Sequence, residues 1–593
     1  MARNKFDVDE ELESPFSFIH LKRLFAYLKP YRMKILLTVF IMLAASGANL
    51  IGPYLIKKAI DEEIPGKDVG GLLVLAVIYL VAIVFTGLCM KYKIRMMSQI
   101  GQSVILHIRK DLFTHLQKLS FSFYDSRPHG KILVRVVNYV NSLSDLLSNG
   151  LINLITDLFS LIVIIGFMLA IDIKLTLMAM CGFPILAVVI LLIKNAQRKA
   201  WQTLSNKQSN MNAYIHESIN GIKVTQAFTR EEENKRIFGE VSESYQTSWM
   251  KAVRIQFLLW PSIENISVLT TSFIYIVGIS QIGERVTVGA LVAFVGYIGM
   301  FWAPIANIGN FYNAIINATA YLERIFEMMD EQPIVKNRPN AVDLPLIKGK
   351  VEFNNVIFGY EAGEKILENI NLCVNPGESI ALVGATGSGK TTIVSLISRF
   401  YEVSSGRIEI DGIDINTVTI PSLRKQIGVM LQDSFIFSGT IMDNIRYGRL
   451  NATDKEVIEA AKAVQAHQFI IGMANGYQTE VNERGTRLST GQRQLISFAR
   501  ALLADPKILI LDEATSSIDT ETELALQRGL EILLAGRTSF IIAHRLSTIQ
   551  NATRILVIDK GKIIEEGTHK ELMCRKSYYW KLHQSQHKSL EVI

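Results

Sequence analysis

The sequence predicts an α-helical membrane domain, with six transmembrane helices and long cytoplasmic extensions, followed by an α/β domain. Three observations lead to this fold class. The chain has 593 residues, several times the length of a typical single domain, and 49% of them are hydrophobic against 20% charged. Its long apolar stretches all lie before about residue 315. Beyond residue 350, β-type and helical stretches alternate.

Charge and cysteine content exclude few functions. The chain has 62 basic and 55 acidic side chains, and the resulting net charge of +7 suits the basic flanks of membrane helices as well as a nucleic-acid surface. Charge alone therefore identifies no partner. The four cysteines are far apart and form no CxxC pair, so neither a disulfide scaffold nor a zinc site is indicated. A reducing compartment is the default.

Six apolar stretches are each close to the roughly 20 residues that a helix needs to cross a bilayer. They cover residues 35–55, 71–90, 151–170, 175–193, 255–282 and 288–312. An even number of spans places both termini on one side, and basic residues beside the spans, such as Lys34 and Lys91, predict that this side is cytoplasmic. The preceding segment is too long and too charged for a cleavable signal peptide, and we expect an amphipathic helix on the membrane surface.

Two long connections are typical of helical hairpins. Residues 94–147 and 197–253 are amphipathic, and half of either would extend on the order of 40 Å as a helix. We interpret them as rods that transmit force from the soluble domain to the membrane; the alternative is that they are long loops. A segment rich in Pro, Asn, Asp and Lys follows the last span. The predicted organisation is a transmembrane domain over 1–332, a linker over 333–350 and a second domain over 351–593.

The strongest motif in the chain is a glycine-rich segment between a strand-like run and a helix-like run. Its order and context match a P-loop, in which backbone N–H groups surround phosphate oxygens and Lys390 reaches the outer phosphates. Thr391 can bind Mg²⁺. The predicted nucleotide-binding residues of this segment are Gly384, Ala385, Thr386, Gly387, Ser388, Gly389, Lys390, Thr391 and Thr392. The second domain is therefore predicted to be an α/β P-loop ATPase domain that uses ATP and Mg²⁺.

Two carboxylates end a buried-strand run at residues 508–511. Asp512 can be held beside the magnesium ion, while Glu513 faces the attacking water. An isolated acidic pair at a strand end is more often a solvated turn, but the preceding P-loop favours the functional interpretation. His544 ends another strand-like run and could bond the γ-phosphate; the alternative is a structural histidine.

Between these motifs, residues 488–492 read Leu-Ser-Thr-Gly-Gln, and here the chain resembles ATP-binding-cassette proteins. Six spans ahead of one cassette resemble the exporter half-transporter of multidrug type, and the resemblance covers essentially the whole chain. It implies a translocase for multidrug-type efflux. In that family, two cassettes close head to tail over two ATP molecules, so one chain cannot complete a site alone.

The resemblance also assigns roles to single residues. Tyr360 matches the aromatic on which adenine stacks, although it could instead be a sheet-core aromatic. Gln432 matches the glutamine that senses magnesium and the γ-phosphate, and Asp519 matches the aspartate that bridges the cassettes. The residues implied to cap the opposite P-loop are Ser489, Thr490, Gly491 and Gln492. The implied catalytic residues are Glu513, His544, Lys390 and Gln432. The implied magnesium ligands are Thr391, Gln432 and Asp512.

Thr490 departs from the family pattern, which is normally Leu-Ser-Gly-Gly-Gln. A side chain there brings a β-carbon and a hydroxyl close to where backbone must approach the opposite γ-phosphate. Thr490 occurs together with an intact P-loop, Asp512, Glu513 and His544. This combination resembles the catalytically competent subunit of heterodimeric bacterial exporters. In those exporters, the partner subunit has a full signature but lacks the glutamate that corresponds to Glu513. We therefore predict a heterodimer with a second half-transporter; the alternative is a tolerated substitution in a homodimer.

Substrate information must lie in the spans. Asp157 and Glu264 are ionisable at membrane depth, so they are candidate substrate residues that could attract a cationic amphiphile. The alternative is a carboxyl bonded within the helix bundle or facing a water-filled cavity. The expected partners are membrane lipid and hydrophobic or amphipathic small molecules, with no nucleic acid. Lipid translocation is the nearest alternative function, and an ATP-gated channel or sensor is a more distant one. A bacterial plasma membrane is favoured because of the resemblance and because no transit sequence is apparent.

Overall fold

A computed structural model describes residues 18–590 apart from 128, 283–285, 362, 431–433, 483–484, 486, 513–519 and 543–545. These residues form two compact units. The first unit comprises residues 18–117 and 130–330, and the second comprises residues 118–129 together with the chain from residue 331 onwards.

The chain up to residue 330 is helical. Its α-helices are α1 (Phe18–Leu28), α2 (Arg32–Lys58), α3 (Val69–Leu116), α4 (Phe121–Asp125), α5 (His129–Val134), α6 (Val140–Asp145), α7 (Leu151–Ile171), α8 (Ile173–Met180), α9 (Gly182–Asn220), α10 (Ile222–Ala227), α11 (Glu231–Gln256), α12 (Leu259–Ser280) and α13 (Val288–Asp330). A 3₁₀ turn, Lys29–Tyr31, joins α1 to α2. The π-helical segments are Ala59–Glu63, Arg135–Tyr139 and Leu146–Gly150.

Six helical segments among the described residues are long and apolar enough to cross a membrane, as predicted. Most continue well beyond the apolar stretch, as in α3 with 48 residues and α13 with 43. The predicted fourth span is divided into α8 and α9 at Cys181. The break has a local cause, because Pro184 has no N–H to donate to the carbonyl of Met180. The core of this unit lies between the spans, around Phe294, Tyr297 and Trp302.

Both predicted helical hairpins are confirmed. The first consists of α3 and the helices from α5 to α7, and the second consists of α9 and α11. Ala200, Leu204 and Ala252 are buried where α9 and α11 pack together, so the second hairpin has an apolar seam of its own. A short helix caps each hairpin, α4 in the first and α10 in the second.

The second unit is an α/β fold with two main sheets. Its strands are β1 (Val351–Phe358), β2 (Leu367–Val374), β3 (Ser379–Val383), β4 (Ser405–Ile410), β5 (Ile413–Asp414), β6 (Ile427–Met430), β7 (Gly439–Thr440), β8 (Glu480–Val481), β9 (Ile508–Asp512), β10 (Thr538–Ile542), β11 (Arg554–Asp559) and β12 (Lys562–Gly567). Its helices are α14 (Lys390–Ile397), α15 (Ile420–Arg424), α16 (Ile441–Arg446), α17 (Asp454–Ala463), α18 (His467–Ile471), α19 (Thr490–Ala504), α20 (Thr520–Leu534), α21 (Leu546–Asn551), α22 (His569–Arg575) and α23 (Tyr578–Leu590).

The larger sheet positions the candidate site. Its strand order is β12-β11-β3-β10-β9-β6, and all neighbours are parallel except β12 and β11. Its central strands are covered on both faces, and every residue of β10 is buried, including Thr538 and Ser539. The smaller sheet, β2-β1-β4-β5, is antiparallel. In parallel α/β sheets, ligands bind at the carboxyl ends of the strands, which is where β3 and β9 lead into their motifs.

Candidate nucleotide-binding site

The predicted phosphate-binding loop connects a central strand to a helix. β3 is buried over residues 380–383 and is followed by the loop over residues 384–389, after which α14 begins at Lys390. Glycine is required at two positions. A β-carbon on Gly384 would lie 2.2 Å from the carbonyl oxygen of Ile558, and Gly389 has a φ of +108°. The loop and the helix N-terminus together form a site that favours an anion.

Lys390 is folded back over this loop. Its Nζ donates to the carbonyl oxygens of Gly384 at 2.9 Å and Ala385 at 2.8 Å, and the side chain is buried. Burial lowers the pKa of Lys390, and the nearby Asp512 carboxylate opposes this with a smaller effect. Hydrogen bonds between two charged groups are stronger than those to neutral carbonyls, so a phosphate oxygen would bind this ammonium more tightly than the loop does.

The rest of the loop also fits a ligand. Ser388 is 4% exposed, and its Oγ has no hydrogen-bond partner among the described residues. Buried hydroxyls normally have a partner, so this donor fits a loop that a bound group completes. Ala385, Thr386 and Gly387 are exposed at the tip of the loop.

Asp512 lies at the same edge of the sheet as the loop. Ile542 of β10 is paired with Leu382 of β3 on one side and with Asp512 of β9 on the other. Adjacent strands are about 4.8 Å apart, so Asp512 lies about 10 Å from β3 across the sheet. The structure therefore brings together a carboxylate and a lysine that are more than 100 residues apart in the sequence.

The described residues fit a magnesium ion bound together with phosphate. Thr391 is exposed at the start of α14, and Asp512 ends β9 at the same edge. A hydroxyl and a carboxylate are the oxygen ligands that Mg²⁺ takes alongside substrate phosphates. In the described part of the chain, no group of three or more His, Cys, Asp or Glu residues could hold a metal without such phosphates.

Tyr360 is placed for stacking. It follows β1, and its ring is half exposed. The ring packs edge-on against Phe358 at 5.0 Å and Tyr401 at 5.1 Å, and its hydroxyl is 3.2 Å from Oγ1 of the buried Thr392 in α14. These contacts fix the ring beside the P-loop helix while it stays accessible, as a stacking platform for a base requires.

The Ser489–Gln492 segment forms the N-terminus of α19. Ser489 Oγ accepts from the backbone N–H of Gln492 at 3.2 Å, and Gln492 Oε1 accepts from the N–H of Ser489 at 3.0 Å, so the pair forms a capping box. Gly491 is buried. Thr490 is exposed at the first helical position, and its Oγ1 accepts from Arg493 Nη2 at 3.2 Å. The sequence analysis did not predict Arg493 as a partner of Thr490. The available signal was its position three residues after Thr490 on the same helix.

Several predicted residues lie outside the described part of the chain: Gln432, Glu513, Asp519 and His544. Their roles remain predictions. In sequence, Glu513 directly follows the last residue of β9, and His544 comes two residues after the end of β10.

The two candidate substrate carboxylates have different surroundings. Asp157 in α7 lies near Asn307 of α13 and Lys93 of α3, whose Nζ donates to Asn153, while Oδ2 of Asp157 has no hydrogen-bond partner among the described residues. These neighbours place the carboxyl within the helix bundle. Glu264 in α12 is exposed. Among the described residues, no hydrogen bond or ion pair joins Asp157 to Glu264, so the structure does not combine them into one site.

The cap of the first helical hairpin packs within the second unit. Ser120 Oγ accepts from the backbone N–H of Ile334 at 2.8 Å. The ring of Phe121 in α4 packs on the ring of Phe400 with centroids 4.4 Å apart. Residues 118–129 therefore belong to the same compact unit as the nucleotide-binding loop, although they lie more than 200 residues earlier in the chain.

Tyr401 links this cap to the aromatic platform. Its hydroxyl donates to Asp125 of α4, and its ring packs against that of Tyr360. Burial and the bond to Asp125 raise the pKa of Tyr401, so the phenol remains a donor. Sequence analysis did not identify this residue. The aromatic pair Phe400-Tyr401, shortly after the P-loop helix, was the only sequence signal for it.

Comparison with known families matches both parts of the chain. Residues 35–305 match the family described as ABC transporter transmembrane region, and residues 367–516 match the family described as ABC transporter.

Several relatives align with this chain over nearly the full length of both proteins. The uncharacterised ABC transporter ATP-binding protein YknV of Bacillus subtilis is 46% identical over 98% of this chain and 96% of its own. A protein of the same organism named for multidrug export, YgaD, is 38% identical over 94% of this chain and 98% of its own. An ATP-dependent lipid A-core flippase of Syntrophus aciditrophicus is 38% identical over 96% of this chain and 95% of its own.

A solved structure shares the fold. It is that of a bacterial Atm1-family ABC exporter with ATP bound, which is 30% identical and superposes with a TM-score of 0.80. The match covers 95% of this chain and 99% of that one.

Proposed function

This chain belongs to the ABC transporter family, and we propose that it exports hydrophobic or amphipathic compounds across a membrane as one half of a dimeric transporter. The observation that carries the proposal is a P-loop with Lys390 folded into it, on the same chain as six helices long enough to span a membrane. The relative named for multidrug export supports drug-like compounds. The relative named as a lipid A-core flippase supports lipid as the alternative cargo.

The proposed ATPase step uses residues at the edge of the larger sheet. Phosphate oxygens replace the loop carbonyls as partners of Lys390. Thr391 and Asp512, together with Gln432, would hold Mg²⁺, which neutralises phosphate charge when bound. Glu513 polarises water in line with the γ-phosphate, and His544 helps Lys390 to stabilise the developing charge.

Movement of the spans would be driven through the helical hairpins. ATP binding closes two cassettes head to tail, the rods turn the spans outward, and hydrolysis resets them. The packing of residues 118–129 in the ATPase unit supports this, because α3 leads directly from that cap into the second span. Basic residues beside the spans support a cytoplasmic ATPase domain, and a bacterial plasma membrane is the proposed location.

Export is tested by ATP-dependent movement of a fluorescent amphipathic dye, Hoechst 33342, in proteoliposomes that contain this chain and its partner. We expect accumulation against a gradient with the natural sequence and none with Lys390→Ala. ATP-dependent movement of a fluorescent phospholipid but not of the dye would identify lipid as the cargo. ATP turnover that no amphiphile changes, without movement of either probe, would favour the channel or sensor alternative.

Tyr401→Phe is expected to weaken coupling without weakening nucleotide binding. The variant loses the hydroxyl that donates to Asp125 and keeps the ring that supports Tyr360. A hydrogen bond to a charged group contributes roughly 1.5–3 kcal/mol, so dye-stimulated turnover should fall by about 10- to 100-fold while KM for ATP stays unchanged. Tyr447→Phe is the matched control, because Tyr447 is exposed and lies outside this contact. Equal stimulation of Tyr401→Phe and the natural chain would contradict the coupling role.

The proposed partner is a second half-transporter with an unmodified signature. Thr490 supports a heterodimer because its side chain is exposed at the start of α19, where the family has glycine. The competent ATP site would then combine Glu513 of this chain with the signature of its partner. A homodimer in which Thr490 is tolerated is the alternative.

Thr490→Gly is expected to raise the ATP turnover of this chain purified alone in lipid by about tenfold, equivalent to ~1.4 kcal/mol of barrier. The reason is that the substitution removes the β-carbon and hydroxyl from the approach to the opposite γ-phosphate. Thr490→Ser is the control, since it keeps the hydroxyl that Arg493 contacts. Turnover and oligomeric mass are measured together. Robust Glu513-dependent turnover by a two-copy assembly of the natural chain would eliminate the obligate heterodimer.

A further inference from the structure

A cavity lies between three of the membrane-domain helices. Its volume is about 290 Å³, it is bordered by α9, α12 and α13, and it is open on one side, where Phe183 and Leu191 are exposed. The lining is almost entirely apolar, with Phe183, Leu186 and Ile190 on α9, Leu259 and Ile263 on α12, and Ile305 on α13. Lys194 is the one charged side chain among the described residues that line it.

The ammonium of Lys194 is directed across the cavity toward α13. Its Nζ donates to the carbonyl oxygen of Gly309 at 2.6 Å, and the side chain is half-buried. A lysine near the end of an apolar span commonly extends toward water instead. Glycine makes room for the inward orientation, because a β-carbon at position 309 would lie 3.1 Å from Nζ.

The charge of Lys194 is not compensated by an acidic side chain in the described part of the chain. An ammonium group has three donors, and the Gly309 carbonyl occupies one of them. Buried charges in proteins are normally paired. Lys93, which is fully buried among these helices, follows that rule, because it bonds to Asn153 and interacts with Asp157, whereas the half-buried Lys194 has no such partner among the described residues. Lys194 is thus a cationic group that an external anion would complement.

The cavity has a polar end and an apolar end. The apolar residues of α9 extend from Phe183 to Leu191, so the stretch between Phe183 and Lys194 is about 16 Å long at 1.5 Å per residue. Gly309 and Asn310 of α13 line the cavity at the Lys194 end. The volume is at the lower end for ligand pockets, so it suits one aliphatic chain rather than two.

We propose that this cavity binds a single-chain anionic amphiphile, whose carboxylate or similar head accepts from Lys194 Nζ and whose chain lies along Phe183, Leu186, Ile190 and Ile263. The shape and the uncompensated cation together select this chemistry over a neutral or cationic compound. The proposal goes beyond the export function and does not depend on which compound is transported.

The test measures binding of 11-(dansylamino)undecanoic acid and of its methyl ester to the full-length protein in phosphatidylcholine nanodiscs, with empty nanodiscs subtracted. The acid should bind about tenfold more tightly than the ester, the size of one charge-assisted hydrogen bond. Lys194→Met should remove this difference and Lys194→Arg should keep it. Lys199→Met is the matched control, since Lys199 is an exposed lysine five residues further along α9. Ile263→Trp, which fills the cavity, should weaken binding of both probes.

Equal affinities of acid and ester for the natural chain would overturn the proposal, as would an unchanged preference in Lys194→Met. Displacement of the probe by phosphatidylglycerol as effectively as by lauric acid would overturn the single-chain assignment. Binding is measured without ATP, so failure here is distinguishable from failure of the export proposal.

Discussion

Lys390→Ala is expected to lower ATP turnover by about 10²–10³-fold, the loss typical of removing one group that stabilises transition-state charge. Lys390 is the buried cation of the phosphate-binding loop, held by the carbonyls of Gly384 and Ala385 and close to Asp512. Alanine has a methyl group where lysine carries its ammonium, so no positive charge at this position can stabilise the negative charge that develops on the γ-phosphate. Turnover is measured in lipid at saturating ATP and magnesium.

Two further variants distinguish the effect of losing the Lys390 ammonium from a general effect of the substitution on folding. Lys462→Ala removes an exposed lysine at the end of α17 and should leave turnover unchanged. Lys390→Arg keeps the positive charge but replaces a compact ammonium by a planar guanidinium in a buried site, and it should remain strongly impaired. If Lys390→Ala keeps its melting temperature and turns over ATP within twofold of the natural chain, phosphate stabilisation lies elsewhere.

The parts of this protein that sequence alone predicted are those set by local patterns. A span needs only enough consecutive apolar residues, and the six predicted stretches match the six long apolar helices. The P-loop is equally local, since glycines, lysine and threonine act within one strand-loop-helix unit. The break between α8 and α9 within the fourth span is a detail that the apolar pattern did not predict, although its cause, Pro184, is visible in the sequence.

Contacts between segments that are distant in the sequence could not be predicted from such local patterns. The bond between Tyr401 and Asp125 joins residues 276 positions apart, and nothing in either segment identifies the other. Asp157 was recognised as costly at membrane depth, but its neighbours Lys93 and Asn307 depend on how three helices pack. In the sequence, Lys194 is one more basic residue at the end of a span, and its inward direction depends on Gly309 of another helix.

Glu513→Gln is expected to retain ATP binding and to lose steady turnover by about 10²–10⁴-fold, the usual contribution of a general base. Glu513 directly follows Asp512, which ends β9 at the edge of the sheet occupied by the P-loop. The amide preserves the size of the side chain but cannot accept a proton from the attacking water. Equilibrium binding of a fluorescent ATP analogue and phosphate release are measured on the same preparation.

The combination of retained binding and lost turnover distinguishes Glu513 from its neighbour. Asp512→Asn should instead weaken magnesium-dependent ATP binding, because Asp512 is the proposed metal ligand. Glu459→Gln, an exposed carboxylate on α17, is the control for loss of a negative charge and should behave as the natural chain does. Appreciable residual hydrolysis in Glu513→Gln would move water activation to another group. Its disappearance on adding His544→Ala would identify that group, since His544 follows β10, the strand between β3 and β9.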